Sequence, residues 1–249
     1  MNSFRQTIIS LRESPGILGR IIYYLFFSVY FLFKFFLNQR HRSEKISSFL
    51  YPNHIHQRST FTQNNRYPVL FELCKKLIPD YESTSILSFG CSTGEEVNSL
   101  RKIFPNPTIY GTDINKFCIR KAKKKFNHPK NIFIHSLSKT FNELTDLDAI
   151  FCMAVFQHSA NRHDLLIKES KYPFSRYNEE ISRLDQKLKK GGLLIIDHTD
   201  FDFMESSVSK HYKPLAVDKN FRLRTRPAFD AQNRKVSSQA GFYRIFKKI

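Results

Sequence analysis

Between residues 86 and 197 short apolar runs alternate with amphipathic ones, and this alternation constrains the fold more than any other feature. The segments 86–89, 108–112, 131–135, 147–153 and 192–197 have strand length and composition. Between them, about 94–103, 115–126, 138–144 and 175–189 carry helical apolar spacing. Strands separated by helices in this way predict a mostly parallel sheet with helices on both faces. A further helix is expected at Val69–Ile78, closed by Pro79-Asp80. Phe221–Arg226 and Gly241–Phe246 read as two more strands that pair as an antiparallel edge hairpin.

One crossover turn is unusual. Ile86 to Val97 reads Ile-Leu-Ser-Phe-Gly-Cys-Ser-Thr-Gly-Glu-Glu-Val, a strand entering a turn with glycines at 90 and 94, then a helix start with Glu95 and Glu96. Glycines let a backbone pass close to a ligand, and a helix N-terminus favours acidic residues. The next strand, Thr108–Asp113, ends in an acid nineteen residues after Gly94. That pairing is the footprint of a nucleoside cofactor on an open α/β sheet, with the turn against the tail and the carboxylate on the ribose hydroxyls.

These motifs resemble the class I methyltransferases that use S-adenosylmethionine. Leu147-Asp-Ala-Ile-Phe-Cys-Met-Ala-Val-Phe-Gln-His158 and Leu188-Lys-Lys-Gly-Gly-Leu-Leu-Ile-Ile196 are similar to that family's fourth strand and the glycine turn before its fifth. Within the class, Phe-Gly-Cys-Ser-Thr-Gly-Glu-Glu, Ile-Phe-Cys and Thr60–Arg66 look most like the chemotaxis receptor methyltransferases, although residues 1–59 do not have the composition of their N-terminal domain. The resemblance implies a Rossmann-like seven-stranded sheet, S-adenosylmethionine as cofactor and a methyltransferase domain over residues 66–249. It implies that Gly90, Ser92 and Gly94 line the cofactor turn, Asp113 accepts the ribose hydroxyls, and Ile114 packs on the adenine. Ser136 and Ser138 stand where an adenine-contacting Asp is frequent, Arg66 faces the cofactor carboxylate, and Met153 borders the site at the fourth strand. Ser88 stands where an acid often begins the glycine motif, and Met153-Ala154 replaces an Arg-Asn pair of the receptor enzymes. Arg66 also fits a solvated or helix-anchoring role.

Methyl transfer to a hydroxyl or amine needs an aligned acceptor, exclusion of water and a base. His158, just past the fourth strand, is the candidate base, with Gln157 as an alternative that orients the acceptor; a surface or helix-terminal histidine is the plain alternative. His198 and Asp200 lie at the same edge, and Ser159–Phe174 is long and polar enough for a lid.

The N-terminal region has a different character. Ile21–Leu37 is apolar and aromatic apart from Ser28 and Lys34, and Arg20, Arg40, His41 and Arg42 flank it. Seventeen helical residues span only ~26 Å against a hydrocarbon core of ~30 Å. The reading is a membrane-anchoring helix within residues 1–45, contacting lipid through 21–38, followed by a polar linker at 46–65. A helix packed on protein is the alternative, and the charged Asn38–Arg42 argues against a cleavage site. Cationic flanks on both sides leave the topology open, and the need for a cytosolic cofactor favours a membrane-associated protein with its catalytic domain in the cytoplasm, as against a soluble cytoplasmic one.

Lys and Arg number 40 against 22 Asp and Glu, a formal charge of +18, which favours anionic partners without selecting one. The four cysteines form no C-x-x-C pair, so no metal is expected. The function expected is methyl transfer to a small-molecule, lipid or glycan-type acceptor near a membrane. RNA or protein methylation through basic residues such as Arg120–Lys125 is the first alternative, though no N/D-P-P-Y-like motif follows the fourth strand. Gly90-Cys-Ser92-Thr-Gly94 also satisfies the hydrolase elbow G-x-S-x-G, with Asp197 and His211 later in the chain. A non-catalytic cofactor-binding scaffold is the remaining alternative.

Overall fold

The computed structural model describes residues 16–158, 161, 166–215, 228–236 and 243–249. The chain divides into two compact units, one ending at Ile46 and one running from Ser47 to Ile249.

In the first unit, helix α1 (Ile17–Leu37) has 21 residues, four more at its start than the apolar run alone indicates, which lengthens it to ~31 Å. No residue of α1 is buried, and by length and composition it is able to cross a membrane. The backbone breaks at Asn38 and resumes as α2 (Gln39–Leu50), which belongs to the larger unit from Ser47 onward. The sequence reads residues from 43 onward as linker on their polarity. Helix persists because this stretch has neither Gly nor Pro before Pro52, and the Asn38 side chain accepts the His41 N–H at 3.0 Å, as an N-cap does.

The larger unit is a twisted sheet with helices on both faces. Its strands are β1 (Ser85–Phe89), β2 (Thr108–Asp113), β3 (Asn131–His135), β4 (Leu147–Met153), β5 (Leu188–Asp197), β6 (Tyr212–Pro214) and β9 (Ile245–Lys248). They lie in the order β3-β2-β1-β4-β5-β9-β6, the first five parallel and β9 antiparallel to both neighbours. The helices are α3 (Pro68–Lys75), α4 (Glu95–Ile103), α5 (Lys116–Lys125), α6 (Lys139–Asn142) and α7 (Phe174–Asp185). This is a Rossmann-like α/β architecture. A two-stranded ribbon, β7 (Ala228–Phe229) with β8 (Lys235–Val236), accompanies it.

The strands alternate between two cores because successive side chains leave opposite faces. Ile86, Ala149, Phe151, Leu193 and Ile195 enter the layer formed with α3, α4 and α5. Leu87, Ile150, Cys152, Leu194 and Ile196 enter the layer formed with α6 and α7. Burial on both faces explains why these strands read as continuous apolar runs.

Two expectations differ in detail. Strand β5 begins at Leu188, ahead of residue 192, because the backbone loops out around Gly191 (φ +80°) while Leu147 already pairs with Leu188; the register then slips before Ala149 meets Leu193. The antiparallel edge partner of β9 is Tyr212–Pro214, and the expected strand Phe221–Arg226 lies outside the described residues.

Gly111 is closely packed: a Cβ there would sit 2.7 Å from Phe133 and 2.8 Å from Val97. Gly111→Val should therefore lower unfolding stability by about 2 kcal/mol or more, read as an earlier urea midpoint at unchanged slope. An unchanged midpoint would show that Phe133 and Val97 yield freely.

Candidate functional site

The C-terminal ends of β1, β2 and β4 meet at one edge, where the connecting loops are tied to each other. Gly90 N–H and Cys91 N–H both donate to the Thr112 carbonyl at 2.8 Å, stapling the turn after β1 to the end of β2. Gly90 (φ +76°) and Gly94 (φ +92°) adopt left-handed conformations. A Cβ on Gly90 would lie 2.7 Å from Val155, and one on Gly94 2.8 Å from Phe126, so the turn passes too close to its neighbours for any side chain.

Ser92, where a third glycine is usual, also has positive φ, +51°. Three hydrogen bonds hold it there. Its N–H donates to Asp113 Oδ2 at 2.9 Å, and its hydroxyl reaches the Thr60 carbonyl at 2.7 Å and Cys118 Sγ at 3.8 Å. The other Asp113 oxygen accepts the Asn115 N–H at 2.7 Å. Each carboxylate oxygen thus retains acceptor capacity on its outer side. Burial pushes the Asp113 carboxyl up to about 6, against the lowering effect of the two amide hydrogen bonds.

The other expected residues gather around this clamp. Ile114 follows Asp113, and its carbonyl accepts from His135 Nε2 at 2.9 Å. Ser136 is buried, and its N–H donates to the Asp113 carbonyl at 3.2 Å. Met153 ends β4 and is buried. Arg66 lies over the Tyr67 ring at 5.3 Å and acts electrostatically on Glu96.

Glu96 was read in sequence only as a match to the helix dipole. Its carboxyl accepts the Ser88 hydroxyl at 2.8 Å, returning an acid to the position where β1 lacks one. Burial raises it to about 8, with Ser88 and Arg66 opposing the rise. The usable signal is the pairing of a serine at the motif's acid position with an acid two residues past the second glycine.

A strap, residues 51–66, also escaped the sequence reading because its polarity matched a linker. Thr60 takes the Ser92 bond, Asn65 N–H donates to Ser99 Oγ at 2.9 Å, and Asn98 donates to the Asn64 side chain at 3.2 Å. Farther back, buried His56 has Nδ1 2.6 Å from the Tyr172 hydroxyl and Nε2 3.3 Å from Glu180. Glu180 is held below the usual carboxylate range by His56 and Arg183, which outweigh its burial.

On the β4 side, His158 is half-buried and its N–H donates to Asp200 Oδ2 at 2.6 Å. The same oxygen accepts from Asn161 Nδ2 at 2.9 Å, and Asn161 Oδ1 accepts the Lys171 N–H at 2.8 Å. Burial, then Arg58 and Lys171, lower the His158 imidazole below its ordinary value. Gln157 is buried and bonds the Ala154 carbonyl at 3.1 Å. Of the expected lid, residues 159, 160 and 162–165 lie outside the described residues.

The hydrolase alternative fails on geometry. Asp197 pairs with His198 at 2.9 Å and Arg244 at 3.4 Å, while His211 pairs with Asp185 at 3.1 Å. Asp185 caps the opposite end of β5, where Lys248 bridges it to the Leu188 carbonyl, so His211 and Ser92 occupy different edges of the sheet. Among the described residues no histidine is bonded to the Ser92 hydroxyl, whose partners are Thr60 and Cys118.

Comparison with known proteins follows this geometry. Residues 87–171, from β1 to the segment before α7, match the family model of a methyltransferase domain. Among curated proteins, the malonyl-[acyl-carrier protein] O-methyltransferase 1 of Ilyobacter polytropus is 29% identical over 153 residues, covering 55% of this chain and 56% of the relative, so the match spans about half the length of that relative. Among solved structures, a TehB-like SAM-dependent methyltransferase from Corynebacterium glutamicum is 18% identical, with 72% of this chain and 86% of that one covered at a TM-score of 0.38. A SAM-dependent methyltransferase from Thiobacillus denitrificans in complex with S-adenosyl-L-homocysteine is 17% identical, with 60% and 52% covered at a TM-score of 0.35.

Asp113 and Glu96 both sit above their ordinary values, so the folded chain keeps protons there that the unfolded chain has released. Their contribution to stability therefore declines as pH rises toward about 6 and about 8 respectively. Glu96→Gln should gain stability relative to the parent protein as pH goes from 5 to 8.5, measured by urea unfolding. A difference that stays flat or runs the other way would place the Glu96 carboxyl in a solvated setting.

Proposed function

We propose that this chain is an S-adenosylmethionine-dependent methyltransferase acting on a small-molecule, lipid or glycan-type acceptor at a membrane surface. The observation that carries the reading is the clamp between the glycine turn and Asp113, closed by the Ser92 N–H at 2.9 Å. The residues present fit the cofactor. Gly90 and Gly94 form a cradle that a Cβ would fill, and Asp113 presents two oxygens with acceptor capacity left over. The family match over 87–171 supports the same reading.

When bound, S-adenosylmethionine supplies an electrophilic methyl group. Asp113 accepts hydrogen bonds from the ribose hydroxyls, Ile114 and Ser136 border the adenine, and Met153 packs beside the turn. Arg66 pairs with the cofactor carboxylate. Glu96 takes its ammonium, an interaction that draws the raised carboxyl back to its charged form. His158, its imidazole kept neutral by burial and by the Arg58 and Lys171 charges, accepts the acceptor's proton.

The membrane part of the reading rests on α1: 21 mostly apolar residues, none buried, reaching ~31 Å against a ~30 Å hydrocarbon core. Arg20 lies one turn inside its start and Arg40 and Arg42 lie past its end, suiting anionic head groups. A cytoplasm-facing catalytic unit gives access to the cofactor.

Asp113→Ala should weaken S-adenosylhomocysteine binding by 10- to 100-fold, on the order of 1.4–3 kcal/mol for lost charge-assisted hydrogen bonds, whereas His158→Ala should bind it normally in calorimetry. Equal losses in both would refute the division of roles. The full chain should sediment with membranes until detergent is added and a version lacking residues 1–45 should not; identical behaviour would remove the anchor.

A further inference from the structure

Two cations act on His158, and the methyl-transfer reading uses them only for their effect on its imidazole. Arg58 lies on the strap two residues after His56, and Lys171 immediately precedes Tyr172. The buried contact between His56 Nδ1 and the Tyr172 hydroxyl, 2.6 Å, therefore draws their two segments together. Arg176 adds a second tie by donating to the Ile55 carbonyl at 3.4 Å. A third constraint comes from below: Lys171 N–H bonds Asn161, Asn161 bonds Asp200, and Asp200 holds the His158 N–H. Both cationic side chains are exposed, and both act on the half-buried His158 ring.

Among the described residues neither the Arg58 nor the Lys171 side chain forms an ion pair, and the buried acids Glu180 and Asp200 are engaged with His56, Arg183, Asn161 and the His158 amide. Two unneutralised cations beside a half-buried imidazole form a cradle for an anion. Solubility alone does not account for the arrangement, because the strap and the segment before α7 are far apart in sequence and joined only through the buried ties.

We propose that Arg58 and Lys171 bind an anionic oxygen group, a phosphate or a carboxylate, carried by the methyl acceptor close to its reactive atom. The proposal rests on the methyltransferase reading and narrows its acceptor to an anion. An anion bound there offsets the two charges that hold the imidazole down, so acceptor binding also strengthens His158 as a proton acceptor. Among the described residues the charged groups acting on or bonded to His158 are Arg58 from the strap, Lys171 from the segment before α7, and Asp200 after β5.

The test uses the full-length protein in detergent, saturated with S-adenosylhomocysteine, with inorganic phosphate in one arm and acetate in the other. The His158 ring resonance, assigned by its loss in His158→Asn, is followed across pH by NMR. Saturable binding of either anion with an upward shift of the His158 titration midpoint is expected, and the responding arm identifies the group. Arg58→Ala/Lys171→Ala should lose at least tenfold in anion affinity while binding S-adenosylhomocysteine as the parent does. No response in either arm, or an equal response in the double variant, overturns the proposal. Failure to bind S-adenosylhomocysteine at all would instead overturn the methyltransferase reading, and calorimetry on the same sample separates the two.

Discussion

The site depends on one hydrogen bond, from the Ser92 amide to the Asp113 carboxylate. It joins the turns that follow two neighbouring parallel strands, β1 and β2, and holds Ser92 at a positive φ that a serine adopts only under constraint. The same serine reaches out to the strap through Thr60. One residue therefore links the glycine turn, the acidic strand end and the segment that covers them. Placing a serine where glycine is usual adds local strain, and the three bonds it makes offset that strain while fixing the turn more firmly than a glycine would.

Much of the fold was legible because the relevant signals are local. Apolar runs separated by amphipathic stretches specify buried parallel strands with crossover helices, and β3 and β4 begin and end where the apolar runs do. The glycine turn was legible for the same reason, since positive φ and close approach leave a glycine signature. Asp113 was found through its distance from the turn. What escaped depends on side-chain contacts between different elements: Glu96 gains its meaning from Ser88 across the β1–α4 turn, and His56 from Tyr172 and Glu180, more than 110 residues away. A polar strap pinned by such contacts has the composition of a linker. The helix start at Ile17 was missed because Gly19 and Arg20 interrupt the apolar run without breaking the helix.

The two sides of the site differ in how they are built. The cofactor side is made of backbone, glycines and buried carboxyls, and its geometry leaves little latitude. The proposed acceptor side is made of side chains on the strap and on the segment before α7, held by the buried His56–Tyr172 contact and by the Asp200–Asn161 pair. This division suits a transferase in which one ligand is common to a large class and the other is particular to the chain. The excess positive charge of the protein then has a local expression at Arg58 and Lys171, distinct from the solvated basic face of α5 with its exposed Arg120, Lys121, Lys123 and Lys124.

The most direct test of the central claim compares S-adenosylhomocysteine with its 2′-deoxyribose analogue on the parent protein and on Asp113→Ala. If the clamp holds the ribose, the missing hydroxyl costs the parent protein tenfold or more in affinity and costs the variant almost nothing, because the partner carboxylate is already gone. Equal affinity of the two ligands for the parent protein, or the same loss in both proteins, would contradict the account.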